Sequence, residues 1–193
     1  MKKILSLALA LGLVGVFAGC SNDEAKNEDT SKETTTESTA AESTGEIKIG
    51  RVNNSPHGDK SFATTVVVMD GDTIVGASID EFQFLGDDAQ GVPNSKGPFG
   101  ENFPVGKVLA SKVDNAEYYS KMMAEKGGST VSLDENYAAI QDYVVGKTVA
   151  ELEEVLKENE ATPEKMVDVV SGATLADSYG YVNAFVEAAK AAK

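Results

Sequence analysis

The chain has 193 residues, 41% of them hydrophobic and 25% charged, and its 17 Lys and Arg against 31 Asp and Glu give a formal net charge of -14. This charge argues against nucleic acid as a partner, because a phosphate backbone is bound by clustered Lys and Arg and the chain has a single arginine, Arg51. With one cysteine, Cys20, and one histidine, His57, the chain excludes an internal disulfide, a cysteine-held iron–sulfur cluster or haem, and zinc sites built from several Cys or His side chains.

The amino terminus has the composition of an export signal. Lys2 and Lys3 precede an uncharged run over residues 4–19, which is shorter than the roughly 20 apolar residues that span a bilayer. At its end, Phe17-Ala18-Gly19-Cys20 resembles the lipobox of bacterial lipoproteins, in which the cysteine is acylated and becomes the new amino terminus. We predict a lipoprotein signal peptide over residues 1–19 and a lipid anchor at Cys20, on the extracytoplasmic face of the cell membrane. The alternative is an ordinary signal peptide with an incidental cysteine.

A polar segment follows Cys20. Residues 21–45 contain no aromatic residue and no Leu, Ile or Val, and they carry an excess of acid. Such a composition buries too little apolar area to offset the entropy of ordering the chain. We therefore predict that residues 20–46 comprise the lipidated cysteine and a disordered acidic tether with a reach of about 25–30 Å. Residues 47–193 are predicted to form one domain.

The first half of that domain is predicted to be β-structure. Residues 61–69 and 73–79 are rich in β-branched side chains and flank the turn Asp70-Gly71-Asp72, which is typical of a β-hairpin. Apolar side chains before and after Asp80-Glu81 have opposite parity, which predicts a bulge or bend there. Residues 86–106, rich in Gly and Pro, are predicted to be an irregular surface loop.

The second half is predicted to be helical. Residues 115–126 and 134–145 each end at a glycine, and Thr148-Val149-Ala150-Glu151 is a capping box that begins a helix over 151–158. Apolar residues from Leu175 to Ala189 recur at three- and four-residue spacing and predict an amphipathic final helix. Strands first and helices later predict an α+β fold, with a largely antiparallel sheet on which the helices pack.

The most informative stretch for chemistry is Asp168-Val169-Val170-Ser171-Gly172-Ala173-Thr174. Its apolar residues indicate a strand-like segment, Gly172 permits a close backbone bend, and Thr174 is expected at or near the amino-terminal cap of the final helix, with Asp177 also placed to cap. Free N–H groups and the helix dipole at such a position favour a bound phosphate. The alternative is that Thr174 is a helix cap and nothing more.

These seven residues resemble the flavinylation signature Asp-x-x-[Ser/Thr]-Gly-Ala-Thr of FMN-binding domains, in which a flavin transferase attaches FMN through a phosphoester to the final threonine. Every fixed position of the signature is present. The resemblance implies that Thr174 bears FMN and that the helix beginning near Leu175 stabilises the phosphate charge. The sequence that the transferase recognises would include Asp168, Ser171, Gly172 and Ala173.

More diffusely, the hairpin and the segment Gly146-Lys147-Thr148-Val149-Ala150-Glu151-Leu152 are similar to extracellular electron-transfer flavoprotein lipoproteins of Gram-positive bacteria. This resemblance implies a membrane-tethered electron carrier. FMN would take electrons from a membrane quinol or NADH dehydrogenase partner and pass them to an extracellular acceptor such as ferric iron, free flavin or an exported reductase. A carrier is expected rather than a self-contained enzyme, because the chain has no second catalytic domain.

The competing hypothesis is a non-redox surface binding lipoprotein, and either reading is compatible with a pheromone released from the signal peptide. Tyr118, Met122 and Met123 are candidates to pack against a flavin ring, although such side chains are more often core. His57 is interpreted as a solvated loop residue without a role. No metal site is predicted, since Asp87-Asp88 with Asn94 lacks the spacing of a calcium loop.

Overall fold

The computed structural model describes Gly45–Lys193, in which four antiparallel strands form one sheet in the order β1-β2-β3-β4. The strands are β1 (Ile47–Asn54), β2 (Ser61–Asp70), β3 (Thr73–Gly86) and β4 (Lys107–Ser111). Each strand pairs with its neighbour in sequence, which is the topology of a β-meander. The predicted signal peptide, the predicted lipid anchor at Cys20 and most of the predicted tether lie outside the described residues.

Helices follow the sheet and pack against one of its faces. They are α1 (Ala116–Gly127), α2 (Leu133–Val144), α3 (Val149–Asn159), α4 (Met166–Val169) and α5 (Ser178–Lys190), and short 3₁₀ turns lie at Pro98–Gly100 and Pro163–Lys165. α5 contacts β1 and β2, whereas α2 contacts β3 and α5. The predicted α+β class, with a largely antiparallel sheet and helices packed on it, is confirmed.

The core lies between this face of the sheet and α5. Ala63 and Val67 of β2 are fully buried together with Phe185 of α5. A close backbone approach makes this packing possible, because a Cβ at Gly50 on β1 would collide with the carbonyl oxygen of Ala188. A larger residue at position 50 would therefore push α5 away from the sheet.

The predicted hairpin is confirmed, but the bulge predicted at Asp80-Glu81 is wrong. The register of β2 against β3 shifts between Val68 and Met69, where Val75 is skipped, and pairing continues unbroken through Asp80-Glu81. The change in the apolar pattern along β3 comes from a buried glutamate and not from a bulge. Glu81 faces the helices and is fully buried, whereas the partly exposed Phe82 and Phe84 face the other side. A buried carboxylate next to outward aromatic residues inverts the usual pattern.

The irregular loop before β4 is confirmed apart from its 3₁₀ turn, and β4 itself is a strand that the sequence analysis did not predict. The predicted helices over 115–126, 134–145 and 151–158 correspond closely to α1, α2 and α3. The predicted capping box is present, since Thr148 and Glu151 bond reciprocally at the start of α3. Ser132 and Glu135 form a second capping box at the start of α2.

Candidate functional site

Thr174 is exposed on the segment between α4 and α5, and a buried side chain of α2 holds it in place. Asn136 Oδ1 accepts a hydrogen bond from the backbone N–H of Thr174 at 2.6 Å and another from its hydroxyl at 3.3 Å. Asn136 is itself fully buried, and its amide donates to the backbone carbonyls of Val131 and Ser132. The position of Thr174 is therefore set by a residue 38 positions earlier in the chain.

Thr174 is not the helix cap that the sequence predicts. α5 begins at Ser178 instead of near Leu175, and its cap position is held by Asp177, whose side chain makes no capping hydrogen bond. The carbonyl of Leu175 accepts from both the N–H and the hydroxyl of Ser178, so a turn separates Thr174 from the helix. The Thr174 N–H is not free to bind a phosphate, because it is bonded to Asn136, and the phosphate site expected beside the final helix stays a prediction.

The residues of the motif lie in different environments. The strand-like segment predicted at its start is wrong, since Asp168 lies on the short helix α4, where it is exposed. Ser171 and Gly172 are exposed and line a groove of about 840 Å³ along α2, whereas Ala173 is buried. Gly172 has a φ of 90°, and a Cβ built there would lie 3.3 Å from the Cβ of Ala139. The positive φ therefore favours glycine at this bend, and a Cβ there would require Ala139 to shift slightly.

A separate cleft of about 440 Å³ opens beside Thr174. It lies between α1, the segment 174–177 and the side chains at one end of the sheet. Its lining residues are His57, Gln83, Lys112, Tyr119, Met122, Met123, Lys126, Gly127, Ser129, Leu133, Thr174, Leu175, Ala176, Asp177 and Tyr181. The volume is within the range of small-molecule pockets, about 300–1,000 Å³.

A buried carboxylate lies behind the floor of this cleft. Glu81 Oε2 accepts hydrogen bonds from Tyr137 at 2.9 Å and Tyr181 at 2.7 Å, and the ammonium of Lys112 lies 2.8 Å from the same oxygen. Its other oxygen, Oε1, accepts from the hydroxyl of Ser61. Glu81 and Lys112 are both fully buried, so their charges compensate each other away from solvent.

The protonation of this network follows from burial and charge. Burial alone would raise the pKa of Glu81, but its contacts with His57 and the charge and hydrogen bond of Lys112 hold that pKa well below its ordinary value. Burial, with the nearby charge of Glu81, raises the pKa of Tyr137. Burial, followed by Tyr137 and Glu81, raises the pKa of Tyr181. At neutral pH both phenols are therefore neutral donors to an ionised Glu81.

His57 connects the buried pair to the mouth of the cleft. Its Nδ1 lies 3.0 Å from Lys112 Nζ and 3.5 Å from Glu81 Oε1, and its Nε2 lies 3.5 Å from Asp177 Oδ2. The loop that carries His57 rests on α5, where a Cβ at Gly180 would collide with the carbonyl oxygen of Pro56. The interpretation of His57 as merely solvated is therefore wrong, since its side chain is 39% exposed and contacts charged groups on both ring nitrogens.

The three side chains proposed to contact a flavin ring are only partly brought together. Met122 and Met123 line the cleft, but Tyr118 does not, and its hydroxyl lies 3.4 Å from Asp88 Oδ1. The neighbouring Tyr119 takes its place, with Lys112 Nζ 4.5 Å from the centre of its ring. Tyr119 and Met123 are four positions apart and share a face of α1.

The cleft has the chemistry that a phosphate-linked flavin needs. Met122, Met123 and Leu133 present apolar surface for a flat ring. Gln83 supplies a polar group at the cleft, whereas the ammonium of Lys112 is buried and already contacts Glu81 and His57. Thr174 is exposed and lines the same cleft, outside the buried network around Glu81. The residues present therefore fit FMN as a ligand.

The described part of the chain shows no metal site and no membrane span. Between Gly45 and Lys193, no group of three His, Cys, Asp or Glu side chains is placed to hold a metal ion. No helix in the same range has the length and apolar character needed to cross a bilayer.

Comparison with known proteins found no match, either to a protein-family model, to a curated protein or to a solved structure. The function is therefore argued from the residues of the chain itself.

Proposed function

We propose that the protein is a membrane-tethered extracellular flavoprotein that carries electrons through FMN attached by a phosphoester to Thr174. The observation that carries this proposal is the position of Thr174, which is exposed and lines a cleft of about 440 Å³ with apolar walls and a buried ion pair behind its floor. A group attached at Thr174 would have a ligand-sized cavity directly beside its point of attachment.

FMN supplies one- and two-electron redox chemistry when it is bound. The residues of the chain bind and tune it. Met122 and Met123 would contact the ring, and Asn136 fixes the backbone that bears it. Lys112 would place a positive charge at the floor of the cleft, moderated by the carboxylate of Glu81 at 2.8 Å.

The proposed partners follow from the same assignment. Maturation would need a flavin transferase, and the electrons would come from a membrane quinol or NADH dehydrogenase. The acceptor would be ferric iron, free flavin or an exported reductase. Lipid at Cys20 and the acidic segment that follows it would keep the domain close to the donor while it moves between partners.

A non-redox binding function remains the second candidate, because one observation favours it. The Thr174 hydroxyl lies 3.3 Å from Asn136 Oδ1 and therefore has a structural partner without any flavin. In that case the cleft would bind a small ligand on a surface lipoprotein, with a signal-peptide pheromone as an additional product. Covalently bound flavin is expected if the protein is an electron carrier and is not expected if it is a binding protein.

The test is co-expression of the full chain with a flavin transferase and FAD, followed by flavin fluorescence of the denatured protein band. Thr174→Ala removes the proposed attachment oxygen, and Thr130→Ala is the matched control, since Thr130 is an exposed threonine outside the motif. We expect fluorescence from the parent chain and T130A and none from T174A. Fluorescence retained by T174A, or absent from the parent chain, would contradict the proposal.

A further inference from the structure

One face of the sheet is uncovered by helices and presents several large apolar side chains. We define the outer face by Ile47 and Ile49 of β1, Phe62 and Val66 of β2, and Phe82 and Phe84 of β3. These residues occupy the strand positions that alternate with the buried ones, and Phe62 pairs with Phe82 across β2 and β3. Ile49 is 61% exposed and Ile47 is 54% exposed, so the face is open at β1.

The distribution of phenylalanine marks this face as more than ordinary surface. Six phenylalanines lie in Gly45–Lys193, and of these only Phe185 belongs to the buried core. Phe62 and Phe82 stack with ring centres 5.2 Å apart on the outer face. Phe103 lies 5.0 Å from Phe84 and extends the aromatic row towards Phe99. Exposed aromatic clusters of this kind mark interaction sites.

The chain's own amino-terminal segment is not suited to cover this face. Residues 21–45 have no aromatic residue and no Leu, Ile or Val, so they offer no apolar surface to pack against it. A strongly charged partner is not suited either. In the middle of the face, Arg51 of β1 and Asp80 of β3 give one charge of each sign, although the whole chain carries -14.

The size of the face matches what a dimer needs. Four strands of 8, 10, 14 and 5 residues, at a spacing of about 4.8 Å and a rise of about 3.3 Å per residue, cover roughly 600 Å². Two copies would bury roughly 1,200 Å² in total, which is the lower end of the range for stable, specific protein interfaces. A second copy of the chain presents a face of the same area, with the same apolar side chains and the same two opposite charges.

We propose that the outer face is the interface of a homodimer in which two copies pack sheet against sheet. Aligned sheets pack about 10 Å apart with their side chains interdigitated, which would bury the Phe62–Phe82 pair and Val66 of each copy. The Thr174 cleft lies among the helices, on the opposite side of the sheet, and stays open in both copies. The dimer does not depend on the flavin proposal.

Cysteine cross-linking tests this interface in the full chain with Cys20→Ser, which removes the single natural cysteine from the parent chain. Val66→Cys places a thiol in the middle of the outer face. Val145→Cys is the matched control at the end of α2, where the valine is 40% exposed on the helical side. With a short bismaleimide, we expect a product of twice the chain mass from V66C and none from V145C or the parent chain.

A double variant and a measurement of mass test the same interface. Phe62→Ser with Phe82→Ser, added to V66C, should lower the cross-linked fraction at least about tenfold with an unchanged circular dichroism spectrum. Light scattering of the parent chain should show a mass that rises towards the dimer with concentration. Equal cross-linking of V66C and V145C would overturn the dimer, and so would a cross-linked product with a different protein. The dimer would also be overturned if a monomeric chain floated with phosphatidylcholine vesicles and Val66→Lys abolished that flotation.

Discussion

Asn136 Oδ1 accepts hydrogen bonds from both the backbone N–H and the hydroxyl of Thr174, at 2.6 Å and 3.3 Å. Through this one buried oxygen, α2 fixes the residue that we propose to carry FMN. The amide nitrogen of the same side chain bonds to the turn at Val131 and Ser132, so Asn136 joins the motif to the start of α2.

Asn136→Asp should loosen Thr174 and destabilise the domain. An aspartate keeps the acceptor but loses the amide donor, and it places a buried negative charge beside the carbonyls of Val131 and Ser132. We expect a loss of about 1–3 kcal/mol in the free energy of unfolding, measured by urea denaturation. Asn159→Asp is the matched control, because the Asn159 amide also donates to a backbone carbonyl, that of Val155, but is less buried. Equal losses in both variants would show that Asn136 has no special role.

Glu81→Gln should be among the most destabilising single changes. It leaves the ammonium of Lys112 buried without its counter-charge, and breaking a buried ion pair from one side costs about 3–5 kcal/mol. Glu153→Gln is the control, since Glu153 pairs with Lys190 on the surface, where such pairs contribute about 0–1 kcal/mol. Combining E81Q with Lys112→Met should recover part of the loss. A double variant as unstable as the sum of both single variants would contradict the pairing.

Acid should destabilise the domain in part through Glu81. Unfolded Glu81 takes up a proton near a pKa of about 4.3, whereas His57 and Lys112 hold the folded pKa well below its ordinary value against the effect of burial. The contribution of Glu81 is therefore complete above about pH 4.3 and is lost as the pH falls towards the folded pKa. In urea unfolding at a series of pH values, E81Q should show a shallower decline below that pH than E153Q. Parallel declines would refute the assignment.

Gly172→Ala should destabilise the motif bend by about 1–2 kcal/mol, because Gly172 has a φ of 90° and a Cβ there would crowd Ala139. Gly127→Ala is the control. Gly127 is the last residue of α1 and a Cβ there would meet no neighbour, so alanine should be neutral or stabilise by up to about 1 kcal/mol. Thermal unfolding of both variants measures the difference. A G172A variant as stable as the parent chain would show that the bend tolerates a side chain.

Local patterns in the sequence were sufficient for much of the fold. Capping residues such as Thr148 and Glu151 act within one turn, and β-branched runs around Asp70-Gly71-Asp72 define a hairpin, so both were predictable. The candidate site was only partly predictable. The motif identified Thr174, but Asn136 and Lys112 reach it or its cleft through tertiary contacts that leave no local pattern.

Glu81 shows why the rest could not be read from the sequence. In an alternating strand a glutamate next to phenylalanines predicts an outward acid and inward rings, and only the partners Tyr137, Tyr181 and Lys112 make the opposite arrangement favourable. The late start of α5 has a similar origin. Thr174 bonds to α2 instead of capping the helix, so the helix begins four residues further on, at Ser178.

The central claim is a covalent flavin on Thr174, and peptide mass mapping of the full chain co-expressed with a flavin transferase tests it most directly. We expect one FMN-sized addition on the peptide that contains Thr174, and no addition on any other peptide. An unmodified Thr174 peptide from chain matured beside an active transferase, or an addition on a different residue, would contradict it.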